Sequence, residues 1–279
     1  MTDTLTINNL PTLTWNWLKI NSTPFSTDAL FSGDGNPRIS ALPRGVEYER
    51  NANADAYRDL ETGCGKALGE HFFKDAKASR ITVKKGVHAA EPVRIDFDLV
   101  DKSAAEAFHI IKAEEGAAVT VIMRYESARA SSGTQILRTI CDAQKDACIH
   151  LIKVQLLGDG FVQVDDIGTI CAEGGRVEVT QVILGGKETY TGAAGTLPAF
   201  GGSFKADTAY FCRGGQRLDL NYIVRQIGKK NRLSDDRAGN AAGQSGKNLP
   251  RFDRFYKGLG GFYGKRIRRS AFALSLRRQ

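Results

Sequence analysis

The chain has 279 residues, 42% of them hydrophobic and 25% charged, which is a globular composition with enough apolar mass for a sizeable core. No apolar run approaches the roughly 20 residues that span a bilayer, and the opening MTDTLTINNLPTLTWNWLKIN lacks the basic and then apolar pattern of a signal peptide, so a cytoplasmic protein with no membrane contact is expected. The formal net charge is +8, but residues 229–279 carry 14 Lys/Arg against Asp235, Asp236 and Asp253, a net of +11, which leaves 8 − 11 = −3 for residues 1–228. The basic charge therefore sits in one Gly-rich terminal segment, and nucleic acid is not an expected partner of the main body.

In chain order, Trp15 and Trp17 come first, in TWNWLK. Their large buriable area suits either a docking anchor or a clamp of the N-terminal segment onto its own domain, and the clamp is the favoured reading. Next, ADAYRDLETGCGKALGEHFFKD places Tyr57, Leu60, Cys64, Leu68 and Phe72 at steps of three and four, which predicts an amphipathic helix. The embedded ETGCGKALG imitates a phosphate loop but fails its spacing. Leu60 stands where the first glycine belongs and Ala67 where Ser/Thr should follow the lysine.

From Arg80 the period becomes two. VRIDFDLV sets Val93, Ile95, Phe97 and Leu99 against Arg94, Asp96 and Asp98. Strands are likewise predicted in AFHII, AAVTVIMRY, TQILRTI, ACIHLIKVQLL, FVQVDDIGTI, RVEVTQVIL and RLDLNYIVRQIG, whereas ILGGKETYTGAAGTLPAFGG reads as Gly-rich turns. The connections are too short for crossover helices, so the body is mainly β, as an antiparallel sandwich or a parallel β-helix. Matching frames at Val119, Ile149, Val177 and Leu218 suggest repetition, although their spacing is irregular. Val119, Val121, Ile149, Leu151, Val177, Val179, Leu218 and Leu220 form the predicted core.

Five cysteines, Cys64, Cys141, Cys148, Cys171 and Cys212, never form a CxxC pair and are expected to be reduced thiols. Cys148 and His150 share a strand face and are a possible ligand pair, but no second Cys/His pair completes a metal site. Arg213 beside Cys212 could lower a thiol pKa, yet alternation points the two side chains apart. His71, His88 and His109 have no nucleophile or carboxylate at a catalytic spacing. No catalytic or cofactor-binding residue is assigned, and a metal site stays unassigned.

Four phrases, LPTLTWNWLKIN, EPVRIDF, GTICAEGGRVEVTQVILGG and GGSFKADTAYFCRGGQRLDLNYIVRQIGKK, occur in an order that resembles the short SufD-like members of the SufB/SufD family, over about residues 8–230. The resemblance implies a scaffold subunit of the SUF iron–sulfur cluster assembly system and not an enzyme. Its fold would be a right-handed parallel β-helix preceded by a helical N-terminal region. The implied partners are a SufC-like ATPase, which holds the ATP, a SufB-like paralogue or a second copy, and a sulfur-delivering desulfurase system. No stably bound cofactor is implied for this chain, the cluster being the cargo of the family. The expected division is residues 1–79 as an N-terminal region with a helix, 80–230 as a partial β-helix core, and 231–279 as an aberrant, poorly ordered basic tail.

The Cys-containing strand and HGAT-like segment of the family's C-terminal third have no counterpart here, so no metal role is carried over to Cys171 or Cys212. LPRFDRFYKG, back-translated and read one base later, permits a phrase close to the FRGTIDFIKG of SufD-like chains. The expectation is a truncated or frame-shifted chain after about residue 230, impaired as a scaffold, with little regular packing beyond that point. The alternative is a stand-alone β-helix or sandwich binding module whose basic tail contacts RNA or a membrane.

Overall fold

The structure, a computed structural model, describes residues 3–8, 22–27, 31, 33–72, 77–242 and 246–248. An N-terminal segment holds β1 (Asp3–Ile7), β2 (Thr23–Thr27), β3 (Arg38–Ile39), β4 (Val46–Asn53), a single 3-10 turn (Asp55–Tyr57) and α1 (Lys66–Phe72). Thirteen further strands follow: β5 (Lys77–Val83), β6 (Val93–Leu99), β7 (Ser103–Ala113), β8 (Ala118–Ser127), β9 (Ser132–Ala143), β10 (Cys148–Leu156), β11 (Gly160–Cys171), β12 (Arg176–Ile183), β13 (Glu188–Leu197), β14 (Ser203–Arg213), β15 (Arg217–Gln226), β16 (Arg232–Ala242) and β17 (Gly246–Asn248).

Successive strands alternate between two sheets. One is ordered β16-β14-β12-β10-β8-β6-β3 and the other β17-β15-β13-β11-β9-β7-β5-β4, and every pairing from β5 onward is parallel apart from those with β3 and β4. This is a parallel β-solenoid of about six turns, with one strand of each sheet per turn. Ladder bonds continue around the corners, where Gly86 N–H donates to Glu115 O (2.9 Å), Gly116 N–H to Lys145 O (2.8 Å) and Asp146 N–H to Glu173 O (2.8 Å). Gly116 and Gly174 stand at these corners with φ of 67° and 65°, a region costly for a residue with a Cβ.

Stacking by register creates columns that point into the lumen. Val119, Ile149, Val177 and Phe204 are neighbours in one column, at steps of 149 − 119 = 30, 177 − 149 = 28 and 204 − 177 = 27 residues. Leu218 belongs to the other sheet, beside Thr189, and so does not share the repeat of this column. All eight predicted core residues are buried, none more than 5% exposed.

The first sheet alternates buried and half-exposed positions, as in β10, because only its lumenal face is covered. The second is buried on both faces along β9, β11 and β13. Its outer face is covered by the N-terminal segment, where Ile7, Phe25, Cys64, Leu68 and Phe72 pack on Phe108, Ile110, Ile136, Ile140, Val164 and Tyr190.

Three expectations are corrected here. The N-terminal region is not helical, because α1 has seven residues and the rest is strand, turn and extended chain. The buried face of Cys64, Leu68 and Phe72 is real, but Gly63 and Gly65 stop the helix from extending backward. A Cβ on Gly63 would overlap backbone atoms of Gly192 and Ala193. The stretch Glu188–Leu197 is a strand, not turns, for the reciprocal reason: Gly192 admits the Gly63 backbone and Gly195 admits the Phe204 ring. Regular structure also continues past residue 230. β16 pairs with β14 from Arg232 to Ala242, and β17 pairs with β15 at Gly246–Asn248. The expected aberrant tail otherwise falls on residues 249–279, outside the described residues, as do Trp15 and Trp17.

Candidate functional site

The lumen is apolar in its first turns and polar in its middle. Along one inward column the residues run Ile95, Met123, Lys153, Gln181 and Thr208, and along a facing one His109, Thr139, Ile167, Ala193 and Tyr222. Strand alternation aims Lys153 and Gln155 inward from β10 and Gln163 and Asp165 inward from β11, so four polar heads meet where apolar packing would otherwise be.

Lys153 and Asp165 form an ion pair with side chains 3% and 5% exposed, and Lys153 Nζ also donates to Thr139 Oγ1 at 2.9 Å. Asp165 accepts from Gln181 Nε2 at 3.3 Å, which donates in turn to Thr191 Oγ1 at 2.8 Å. Tyr222 donates to Gln181 Oε1 at 3.0 Å and shares a hydrogen bond with Thr208. Gln155 donates to Thr189 Oγ1 at 2.9 Å, and Gln163 to Gln135 Oε1 at 2.9 Å. Two buried charges are compensated by each other and by amide and hydroxyl partners, the condition under which they are tolerated. His109 lies on the same lumenal side, its ring edge-on to Phe97 at 5.6 Å, and burial with the Lys153 charge pushes its pKa down to about 3. It is therefore a neutral imidazole at neutral pH.

A second buried polar group fastens the N-terminal segment to the outer face. Asp219 on β15 accepts from Asn8 Nδ2 at 3.1 Å and from Thr23. Asn221 donates to Gly63 O at 2.8 Å, and Asp166 accepts the Cys64 N–H at 2.8 Å. Arg138, 1% exposed, lies 3.9 Å from Asp166 beneath α1, and burial raises the Asp166 pKa.

The thiols do not converge. Cys141 and Cys171 face the lumen, where burial pushes both pKa values up to about 12, and Cys64 is raised as well. Cys148 and His150 do share the outer face of β10, but His150 Nε2 meets Thr180 Oγ1 at 3.0 Å and desolvation raises the Cys148 pKa. Cys212 points inward and is 5% exposed, away from the Arg213 side of its strand. His71 meets Glu106 at 2.9 Å and His88 meets Gly116 O at 3.0 Å. Among the described residues no three His, Cys, Asp or Glu side chains are grouped to hold a metal ion. Nor is any helix of the described residues long and apolar enough to cross a membrane.

The lumenal network has a signature in the sequence that alternation alone passes over. Lys153, Gln155, Gln163, Asp165 and Gln181 occupy inward positions in the frame of Ile149, Leu151, Phe161, Ile167, Val177 and Val179, and a polar residue in that frame marks a buried polar layer.

No curated protein sequence matches the chain. The family model described as SUF system FeS cluster assembly, SufBD core domain, matches residues 99–246, over half of the chain and nearly the whole solenoid from β7 onward. That match gives the protein a role in SUF iron–sulfur cluster assembly, and the chain belongs to the SufB/SufD family.

Proposed function

We propose that this chain is a SufD-like scaffold subunit that works in the cytoplasm with a SufC-like ATPase, a SufB-like paralogue or second copy, and a sulfur-delivering desulfurase system. The observation that carries the reading is the coincidence of the SufBD core match, residues 99–246, with the stacked parallel rungs. The chain is not itself a catalyst in this reading. ETGCGKALG, the stretch most like a phosphate loop, is a turn and helix docked on the second sheet, with Gly63 pressed against Gly192.

The chain also holds no stable cluster alone. Cluster ligands are thiolates that must converge, whereas among the described residues no three His, Cys, Asp or Glu side chains are grouped, and burial disfavours the thiolate at Cys64, Cys141, Cys148 and Cys171.

Co-expression of the tagged full chain with the SufC-like and SufB-like proteins of its source tests the partnership. A complex containing the ATPase is expected, and recovery of an ATPase–SufB complex that excludes this chain overturns it. Anaerobic reconstitution of the isolated chain is expected to give no stoichiometric cluster absorbance. A cluster that disappears with Cys148→Ser or Cys212→Ser contradicts the scaffold-only reading.

A further inference from the structure

The polar side chains of the lumen do not close completely on one another. Between Lys153, Gln155, Gln163, Asp165, Thr189 and Thr191 lies a cavity with room for about one water molecule. Each of these six residues is 3% exposed or less.

Their hydrogen-bond capacity exceeds the bonds they make with each other. Lys153 carries three N–H donors, of which two go to Thr139 Oγ1 and Asp165. Thr189 and Thr191 hydroxyls each accept, from Gln155 Nε2 and Gln181 Nε2, and each keeps a proton to donate. Gln163 uses an amide N–H on Gln135 Oε1 and keeps its carbonyl oxygen as an acceptor. Buried polar groups in folded proteins are satisfied by protein or by ordered water, and a resident water takes two to four such partners.

We infer that this cavity is a binding site for one permanently held water molecule that completes the Lys153–Asp165–Gln181 network. Size excludes any larger solute. Charge excludes an ion, because Lys153 and Asp165 already neutralise each other and no further charged group lines the cavity. Polarity favours water over an apolar guest, since seven polar side chains, Gln181 among them, line the space beside Tyr125, Val182 and Ile183.

Crystals of the full chain, native and xenon-pressurised, test the assignment, because xenon enters dry apolar cavities. The expected map shows one water about 2.7–3.2 Å from at least two of these groups and no xenon there. Xenon density in the cavity, or a well-ordered lumen without water density, overturns it. In solution, water-oxygen relaxation dispersion counts long-lived internal waters, and Gln163→Met is expected to lower the count by one relative to the parent. Should that variant fail to fold, Thr191→Val, which keeps the side-chain volume, serves the same comparison. An unchanged count in a folded variant refutes the site.

Discussion

Lys153 and Asp165 illustrate why a buried pair is informative about folding but a poor measure of stability. Removing one partner leaves an uncompensated charge, so Lys153→Ala is expected to cost about 3–5 kcal/mol. Replacing both, as Lys153→Met with Asp165→Leu, restores apolar packing and is expected to recover most of that loss; equal destabilisation by the single and double variants in urea melts contradicts the pairing. Leu151, fully buried one alternation earlier on the same strand, is flanked in register by Val121 and Val179. Leu151→Asp is therefore expected to abolish soluble expression, and a soluble variant that melts like the parent removes Leu151 from the core. His109 adds a pH signature. Its folded pKa of about 3 lies below the unfolded value of about 6.5, so the unfolded state binds the extra proton between them. The associated stability is fully present above about pH 6.5 and is lost as pH falls toward 3. Between pH 7 and pH 5 the parent is expected to lose about 2 kcal/mol that His109→Gln does not lose, read from urea midpoints at the two pH values.

At the scale of elements, legibility followed burial. Strands of the first sheet expose one face, and their strict alternation makes β6, β8, β10 and β12 readable from period alone. Strands of the second sheet are covered on both sides, and β13, with Gly192 and Gly195, loses alternation and resembles a loop. The strap of residues 62–65 reads as helix in the sequence because Tyr57, Leu60, Cys64, Leu68 and Phe72 do pack on one cluster, while its backbone is shaped by a contact more than a hundred residues away. No local pattern encodes that contact. It does make a sharp prediction. A Cβ at Gly192 would overlap the Gly63 carbonyl carbon and the Cys64 nitrogen, both backbone atoms that cannot rotate aside. Gly192→Ala is expected to lift the strap, accelerating proteolysis within residues 33–72 while the far-ultraviolet strand signal persists. A parent-like cleavage rate means that the strap does not rest on Gly192.

Across the whole molecule, the solenoid is built so that each rung contacts chiefly its neighbours, which makes stability local and lets an end open before the middle. The two ends differ. The first rungs finish in the two-residue β3 and in β4, which carries Glu47, Glu49 and Arg50 and a register shift between Glu49 and Ala52, the devices that blunt a strand edge. Toward the other end, β15 is covered on its far side by only three described residues, Gly246–Asn248. What compensates is the N-terminal segment, which reaches across 158 to 211 residues of sequence to grip β15 through Asp219 with Asn8 and Thr23, Asn221 with Gly63, and Arg225 with Glu61 at 3.1 Å. The strap thus connects the N-terminal segment to β15 and ties the stability of the late rungs to Asn8, Thr23, Glu61 and Gly63. Hydrogen bonds to a buried carboxylate contribute about 1.5–3 kcal/mol each, so Asp219→Ala is expected to speed amide exchange in β13 and β15 by roughly tenfold or more, leaving β8 and β10 nearly unchanged. Native-state hydrogen exchange resolves the two groups of strands directly. Uniform acceleration along the solenoid makes the molecule a single cooperative unit, and no acceleration in β15 shows that the strap does not hold it.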